Sequence, residues 1–224
     1  MSTALPIPPL NLGSGHPSEP VVAHIMAHPG VQRTPSQKLT LFQKRGFIDA
    51  EICRGLIALI DAERRPSTIS DFNGDDAFRT SETCDLPDDD PFIAALDRRL
   101  ADFIGIDPAH GEPLQGQRYA VGQEFKAHTD YFGPTGVDYD RYCGQSGNRT
   151  WTLMAYLNEP AAGGATRFPK LGKSFQPETG KLICWNNRAP DGALNPETLH
   201  HGMKVRAGTK YIITKWYRER AWLG

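Results

Sequence analysis

The spacing of apolar residues changes at about residue 115, and this change limits the folds open to the chain. Before residue 105, two segments repeat apolar residues with helical spacing. Beyond Gln115 the chain has short runs rich in β-branched and aromatic residues, separated by Gly, Pro and Asn. Two helices followed by many short strands indicate an α+β protein that is mainly β. We expect the helices to cover one face of a β-sandwich or barrel.

Both helices carry start and stop signals. The first is predicted to begin after Asp49, which can cap it, and to end before Pro66, which disfavours helix at the preceding residue. The second is predicted to begin at Asp90–Pro91, with Asp as cap and Pro in the first turn, and to stop at Gly105. Each has an apolar stripe that a sheet could bury.

Seven strands are predicted in the second half: Gln117–Val121, Glu124–Thr129, Thr150–Leu157, Ala165–Phe168, Lys181–Trp185, Leu199–Val205 and Lys210–Tyr217. Two long polar segments, Ser67–Glu82 and Tyr131–Asn148, lack regular patterns. Loops of this length in a compact domain are usually lids or binding loops. We expect both to flank the mouth of a pocket and to be poorly ordered without substrate.

The 224 residues suffice for one sizeable core, so we expect a flexible arm over residues 1–20 and a single domain over 21–224. The 25 Lys and Arg balance 26 Asp and Glu, which argues against a nucleic-acid partner. No run of 18 apolar residues occurs, so no membrane association is expected. The four cysteines lack CxxC spacing, and we interpret them as reduced thiols of a cytoplasmic protein.

A metal site is indicated by His128-Thr129-Asp130 and a distant His200. Residues i and i+2 of a strand point to the same face, so His128 and Asp130 can reach one ion. A third ligand from another strand would complete a two-His, one-carboxylate set, which suits non-haem Fe(II) that handles oxygen. His-x-Asp alone is weak, because two polar residues on a solvated strand would show the same pattern.

Lys210 strengthens this interpretation. From Lys210, the residues Ile212, Thr214 and Trp216 lie on one face of a strand. A lysine that faces an apolar interior needs an anion there, because a buried unpaired charge is costly. A dicarboxylate cosubstrate that chelates the metal would supply this anion. The alternative is a charge at a strand end that points into water.

Several ordered blocks resemble the catalytic domain of prolyl 4-hydroxylases. They are Arg79-Thr80-Ser81, Arg118–Gln123, His128–Phe132, Gly147–Arg149, Thr152–Asn158, Gly163–Thr166, Phe168-Pro169, His200–Gly202, and Val205, Gly208, Lys210 and Lys215-Trp216. The resemblance runs from about Phe47 to Arg220. It implies a double-stranded β-helix (jelly-roll) core over about residues 115–220, with the N-terminal helices on one face.

The resemblance also implies Fe(II), with 2-oxoglutarate as cosubstrate, and ascorbate as a further candidate cofactor. His128, Asp130 and His200 correspond to the iron ligands, and Lys210 to the residue that pairs with the distal carboxylate of 2-oxoglutarate. Tyr119 corresponds to a residue that helps to hold the cosubstrate. Arg149 and Trp216 correspond to catalytic positions near substrate and metal. Core packing of Tyr119 and Trp216, and pairing of Arg149 with a local acid, are the alternatives.

Two positions depart from the family pattern, and one histidine competes for the ligand role. Phe125 stands where a Tyr is common, and Lys204 where a Pro is common. Both departures weaken the expectation of an ordinary prolyl peptide. His201 is adjacent to His200 and faces the opposite way. His200 keeps the family spacing to Gly202 and Lys210, so it is the predicted ligand.

The predicted reaction is hydroxylation of an unactivated C–H bond. A prolyl residue of a peptide or protein is the first expectation, and a free amino acid or small metabolite is the second. A nucleic-acid demethylase with the same iron core is disfavoured by Lys210 and the net charge of −1. A zinc or cupin-type metalloenzyme remains open, because the same residues bind zinc. So does a non-catalytic binding domain. The sequence does not predict an oligomeric state.

Overall fold

The structure, a computed structural model, describes residues 18–68, 75, 77–136 and 138–223. The α-helices in these residues are α1 (Ser18–Ala27), α2 (Ala50–Glu63), α3 (Pro91–Ile104) and α4 (Tyr139–Cys143). The strands are β1 (Val31–Arg33), β2 (Leu41–Lys44), β3 (Arg65–Pro66), β4 (Glu82–Asp85), β5 (Gln115–Tyr119), β6 (Phe125–His128), β7 (Arg149–Tyr156), β8 (Ala162–Gly163), β9 (Thr166–Phe168), β10 (Lys173–Phe175), β11 (Leu182–Asn186), β12 (His200–Gly202), β13 (Val205–Ala207) and β14 (Lys210–Arg218). Short 3-10 turns cover Pro108–His110, Pro169–Leu171 and Pro196–Thr198.

Two antiparallel sheets form the core. The larger has the order β1-β2-β11-β7-β14-β5-β4-β3, and the smaller has the order β10-β9-β12-β6. A two-stranded pair, β13-β8, lies apart from both. Neighbours in the sheets are mostly distant in sequence, as in a jelly roll. The predicted double-stranded β-helix is therefore confirmed.

Alternation along the central strands divides the core into two layers. On β7, Trp151, Leu153 and Ala155 pack toward the helices. Met154 and Tyr156, between and beyond them, face the interior of the β-helix, where they meet side chains of the smaller sheet such as Phe168. Successive side chains of a strand point to opposite faces, so one central sheet serves both layers. The inner layer surrounds the candidate site.

The two predicted helices are confirmed as α2 and α3. The side chain of Asp90 accepts a hydrogen bond from the Phe92 amide at the start of α3, and Gly105 ends that helix in a left-handed conformation with φ 73°. A side chain at Gly105 would lie within 3 Å of the His24 ring, so this position requires glycine for space as well. Asp49 precedes α2, but its side chain makes no capping hydrogen bond.

The predicted arm overlaps a helix at its end. Residues 1–17 lie outside the described residues, whereas Ser18–Pro20 form the start of α1. Pro20 is compatible with the first turn of α1, because its missing N–H has no helical partner to lose there. Val21 and Ile25 bury α1 against the helix layer. Within the described part of the chain, no helix has the length and apolar character needed to cross a bilayer.

One strand prediction was wrong. The segment Leu199–Val205 is not continuous, because β12 belongs to the smaller sheet and β13 to the separate pair. Between them the Met203 amide donates to Ala165 O, and Lys204 O accepts from the Gly164 amide. Val205 in turn exchanges backbone hydrogen bonds with Gly122 and Gln123, which precede β6. The strands before residue 115, and the short strands β8 and β10, were not predicted at all.

Candidate metal and cosubstrate site

The antiparallel pairing of β6 and β12 brings two histidines together. His128 is the last residue of β6, and it is the register partner of His200 at the start of β12. Their ring centroids lie 4.2 Å apart. Asp130, two residues beyond His128, places Oδ1 at 3.7 Å from His128 Nε2 and at 3.9 Å from His200 Nε2. One ligand atom from each residue lies within 4.8 Å of the others.

Backbone carbonyl groups fix the tautomer of both imidazoles. His128 Nδ1 lies 2.7 Å from Lys126 O, and His200 Nδ1 lies 3.0 Å from Thr198 O. A carbonyl oxygen only accepts, so each Nδ1 carries the proton and each neutral ring keeps a lone pair on Nε2. Burial, and then the neighbouring His200, lower the pKa of His128 well below its usual 6.5. His128 is therefore neutral at pH 7, as a metal ligand must be.

The carboxylate of Asp130 stays ionised although it is buried. Burial opposes its charge, but His200, His128 and Arg149 favour the charge, as does a hydrogen bond from Thr152, and the pKa of Asp130 falls below its usual value. Thr152 Oγ1 donates to Oδ2 at 2.7 Å, which leaves Oδ1 toward the imidazoles. Two imidazole nitrogens and one carboxylate oxygen fit the donor set of a non-haem Fe(II) centre.

A cavity of about 570 Å³ connects this group with Lys210. Lys210 is 1% exposed, and its Nζ lies 4.0 Å from the ring centroid of Tyr119. Among the described residues no carboxylate forms an ion pair with it, and burial lowers its pKa from 10.5 to about 7. Gly164 makes room for the lysine, because a Cβ at that position would lie 3.1 Å from Lys210 Cδ.

The residues that share a strand face with Lys210 also line the cavity. Ile212, Thr214 and Trp216 contribute to its wall, as alternation along β14 predicts. Tyr119 is buried, and its hydroxyl donates to Gln117 Oε1 at 3.0 Å. The ring of Tyr119 therefore lies against the ammonium group of Lys210, while the hydroxyl of Tyr119 is already engaged within β5.

Arg149 combines both interpretations offered for it. Its guanidinium donates to both carboxylate oxygens of Glu112, at 2.6 and 2.7 Å, so it is paired with an acid. It nevertheless lines the cavity and stacks on Trp216, with Cζ 3.9 Å from the ring centroid. Trp216 Nε1 is buried and has no hydrogen-bond partner among the described residues. Arg149 and Trp216 thus form one flat wall of the cavity, in which a guanidinium stacks on an indole whose N–H has no partner among the described residues.

The contacts of His201, Phe125 and Lys204 show what each of these three residues does instead of binding the metal. His201 Nε2 lies 2.9 Å from Glu124 Oε2, and the exposed Lys204 pairs with the same carboxylate. His201 is outside the group that includes His200. Phe125 stacks on His128 at 3.5 Å between ring centroids, and Arg79 Cζ lies over the Phe125 ring, 4.8 Å from its centroid.

Both long loops reach the cavity. The lining residues that they contribute are Thr68, Phe78 and Arg79 from the first, and Tyr131, Phe132, Gly133 and Tyr142 from the second. Residues 69–74 and 76 of the first loop, and Val137 of the second, lie outside the described residues. The expectation that the loops flank the pocket therefore agrees with their placement. Their order without substrate stays a prediction.

Sequence reasoning missed Glu112, which holds Arg149. It lies in a loop of Gly and Pro with no periodic signal, and it also pairs with Arg218 at 2.6 Å. The contribution of Thr152 was missed as well. Its position on the interior face of β7, two residues from Met154, was the available signal.

Comparison with known proteins agrees with this geometry. Residues 114–218 match the family model of the 2OG-Fe(II) oxygenase superfamily. Probable prolyl 4-hydroxylase 3 of Arabidopsis thaliana is 32% identical over 199 residues, which cover 78% of this chain and 68% of that protein. Prolyl 4-hydroxylase subunit alpha-1 of Rattus norvegicus is 34% identical over 132 residues, 59% of this chain. The match spans only 24% of the length of that subunit.

Solved structures give the same result. A viral collagen prolyl hydroxylase from Paramecium Bursaria Chlorella virus-1, in complex with 2-oxoglutarate, superimposes with a TM-score of 0.61 at 27% identity. The superposition covers 80% of this chain and 95% of that one. A Pseudomonas putida prolyl-4-hydroxylase shares the fold, with a TM-score of 0.56 at 21% identity. The chain belongs to the prolyl 4-hydroxylases of the 2OG-Fe(II) oxygenase superfamily, a family that uses Fe(II) and 2-oxoglutarate.

Proposed function

We propose that this chain hydroxylates a prolyl residue of a peptide or protein, with Fe(II) and 2-oxoglutarate. One observation carries the proposal. A single cavity is lined by a His-Asp-His donor set and by a buried lysine that has no ion pair among the described residues. Such an arrangement suits a dicarboxylate that reaches from a metal to a cation.

His128, Asp130 and His200 would hold Fe(II). The bound ion would supply the redox chemistry that couples oxidation of 2-oxoglutarate by O2 to hydroxylation of a C–H bond. The protein contributes two imidazoles of fixed tautomer, each with Nε2 free of the backbone, and an ionised carboxylate. Phe125, stacked on His128, and Trp185, 4.9 Å from His200 between ring centroids, limit rotation of the two rings.

Lys210 would bind the distal carboxylate of 2-oxoglutarate. The fold has already removed its ammonium group from water, so an anion in the cavity faces a weakly solvated cation. Tyr119 covers one side of that cation through its ring. A carboxylate would convert an unfavourable buried charge into a pair, which favours binding of the dicarboxylate over a monocarboxylate of similar size.

Arg149 and Trp216 would position the substrate. Trp216 lines the cavity and offers a flat apolar surface for a pyrrolidine ring. Glu112 holds the guanidinium of Arg149 against the indole, so this wall is formed before substrate arrives. The loops Ser67–Glu82 and Tyr131–Asn148 would exclude water from the reacting C–H bond.

The other interpretations have less support. A zinc hydrolase gives no role to Lys210, and a purely binding domain does not require the complete donor set. The four cysteines are unpaired and buried, which supports our proposal of a reducing, cytoplasmic location.

The test is turnover with defined substrates. The purified chain is incubated with Fe(II), ascorbate and 2-oxoglutarate, and succinate is measured with proline-rich peptides, with collagen-like repeats and with free L-proline. Mass spectrometry should find a gain of one oxygen (roughly +16 Da) on a proline of a peptide, in step with succinate. Hydroxylation of the free amino acid alone would shift the function to metabolite oxidation. Absence of succinate under all conditions would refute the proposal.

A further inference from the structure

Behind the cavity, two buried polar side chains continue inward from Asp130. Thr152 on β7 and Asn187, directly after β11, are both 0% exposed. Thr152 Oγ1 donates to Asp130 Oδ2 at 2.7 Å, and Asn187 Nδ2 donates to Thr152 Oγ1 at 3.0 Å. Neither can touch a ligand in the cavity, so any effect on the site must pass through Asp130.

The direction of these hydrogen bonds follows from chemistry. A ligating carboxylate only accepts, so the single hydroxyl proton of Thr152 is committed to Asp130. The oxygen of Thr152 can then only accept, and it requires a donor. Asn187 must therefore present its amide nitrogen. The amide oxygen of Asn187 is left buried without a partner among the described residues, which a freely oriented amide would avoid.

The backbone of Asn187 is held on both sides. Its amide donates to Thr150 O at 2.7 Å, and its carbonyl accepts from the Asn195 amide at 3.0 Å. Asn195 in turn accepts a hydrogen bond from the hydroxyl of Thr198, and Thr198 O fixes the tautomer of His200. The segment 187–198 thus positions both the side-chain amide of Asn187, which lies behind Asp130, and the carbonyl group of Thr198, which lies behind His200.

We propose that Thr152 and Asn187 are positioning residues that hold Asp130 with Oδ1 toward His128 and His200, as a ligand through one oxygen. This inference rests on the proposed function, because it assumes a metal between those three residues. Partners behind a metal ligand reduce the reorganisation that binding requires, and their removal typically weakens metal affinity about 10–100-fold.

The experiment is a Co(II) titration of the purified full chain, without cosubstrate, by calorimetry and visible absorption. Thr152→Val keeps the shape and removes the hydroxyl, so Co(II) affinity should fall by about 10–100-fold. Thr152→Ser restores the hydroxyl and should recover most of the affinity. Asn187→Asp keeps the size but replaces the donor by a second acceptor, and it should weaken binding by about tenfold or more.

Thr150→Val is the matched control. Thr150 is a buried threonine on the same strand, but its hydroxyl donates to Tyr217 O and not to Asp130. Its loss should leave Co(II) affinity unchanged, even where the melting temperature falls. A shared loss in Thr150→Val and Thr152→Val would mean general disruption of the strand and would overturn the proposed role.

Asp130→Ala distinguishes a failure of the metal site from a failure of the positioning role. Wild-type Co(II) affinity in Asp130→Ala would overturn the metal site, and with it the proposed function. Loss of binding in Asp130→Ala, together with wild-type affinity in folded Thr152→Val and Asn187→Asp, would overturn the positioning role alone. Should Thr152→Val fail to fold, Asn187→Asp with the Thr152→Ser rescue decides the question.

Discussion

Strand β14 carries two buried lysines, and they differ in what neutralises them. Lys215 is 3% exposed on the helix side of the sheet, with its Nζ 2.5 Å from Asp97 Oδ1 of α3. Lys210 is 1% exposed on the cavity side, without an ion pair among the described residues. Five positions along a strand place them on opposite faces. A charge neutralised within the fold serves stability, whereas one left unpaired in a cavity indicates a ligand.

The adjacent histidines of β12 also lie on opposite faces of a strand, one at the cavity and one outside it. Their replacement gives the largest expected effect, which is on metal affinity. His200→Ala removes one of three donors, so Co(II) affinity should fall by more than the roughly 10–100-fold expected of a residue behind a ligand. His201→Ala should leave metal binding unchanged, because His201 contacts Glu124 instead. Calorimetric titration of both variants decides this. Equal losses would mean that position on the strand does not distinguish ligand from surface.

Lys210 and Lys215 should differ in their effect on cosubstrate. Loss of one partner of a desolvated charge pair costs roughly 2–5 kcal/mol. At about 1.4 kcal/mol per tenfold, Lys210→Ala should weaken 2-oxoglutarate binding by about 30-fold or more, while Co(II) binding survives. Lys210→Arg should restore binding only in part, because the guanidinium is larger and planar.

The measurement is a 2-oxoglutarate titration of the Fe(II) protein without oxygen, followed by visible absorbance. Lys215→Met is the control, and its half-saturation should equal that of the wild type, because its contacts lie on the other side of the sheet. An unchanged half-saturation in Lys210→Ala would remove the strongest residue-level support for the cosubstrate.

On the helix side of the sheet, loss of the partner of Lys215 should have a smaller effect, and that effect is on the stability of the fold. Asp97→Ala leaves Lys215 buried without its counter-charge. The free energy of unfolding should fall by about 1–3 kcal/mol, below the range for a fully buried pair because Asp97 is 28% exposed. Lys215→Met removes both the charge and its need for a partner, so it should cost less. Urea unfolding of both variants measures the difference, and a larger loss in Lys215→Met would contradict it.

How much of this could be read from the sequence depends on the range of the interactions. Local signals sufficed for α2 and α3, and period-two alternation placed Lys210, Ile212, Thr214 and Trp216 on one face. The sequence could not show that Glu112, in an irregular loop, would form an ion pair with Arg149, which lies 37 positions further along the chain. It could not show Asn187 behind Thr152 either. Such contacts depend on how strands pair, and no local pattern encodes that pairing.

The smallest effect concerns pH and follows from the lowered pKa of Lys210. Burial brings this pKa to about 7, against 10.5 in the unfolded chain. Between these values the unfolded state binds more protons than the folded state, so the stability of the protein without ligands should rise with pH. One group contributes at most about 1.4 kcal/mol per pH unit, or a few degrees in melting temperature.

Lys210→Met should lose this slope, whereas Lys215→Met should keep it. Melting curves from about pH 7 to about pH 9 test the difference, in which other titrating groups cancel. Added 2-oxoglutarate should flatten the wild-type slope, because its carboxylate favours the charged lysine. Parallel curves for wild type and Lys210→Met would show that burial does not lower the pKa of Lys210 in the folded chain.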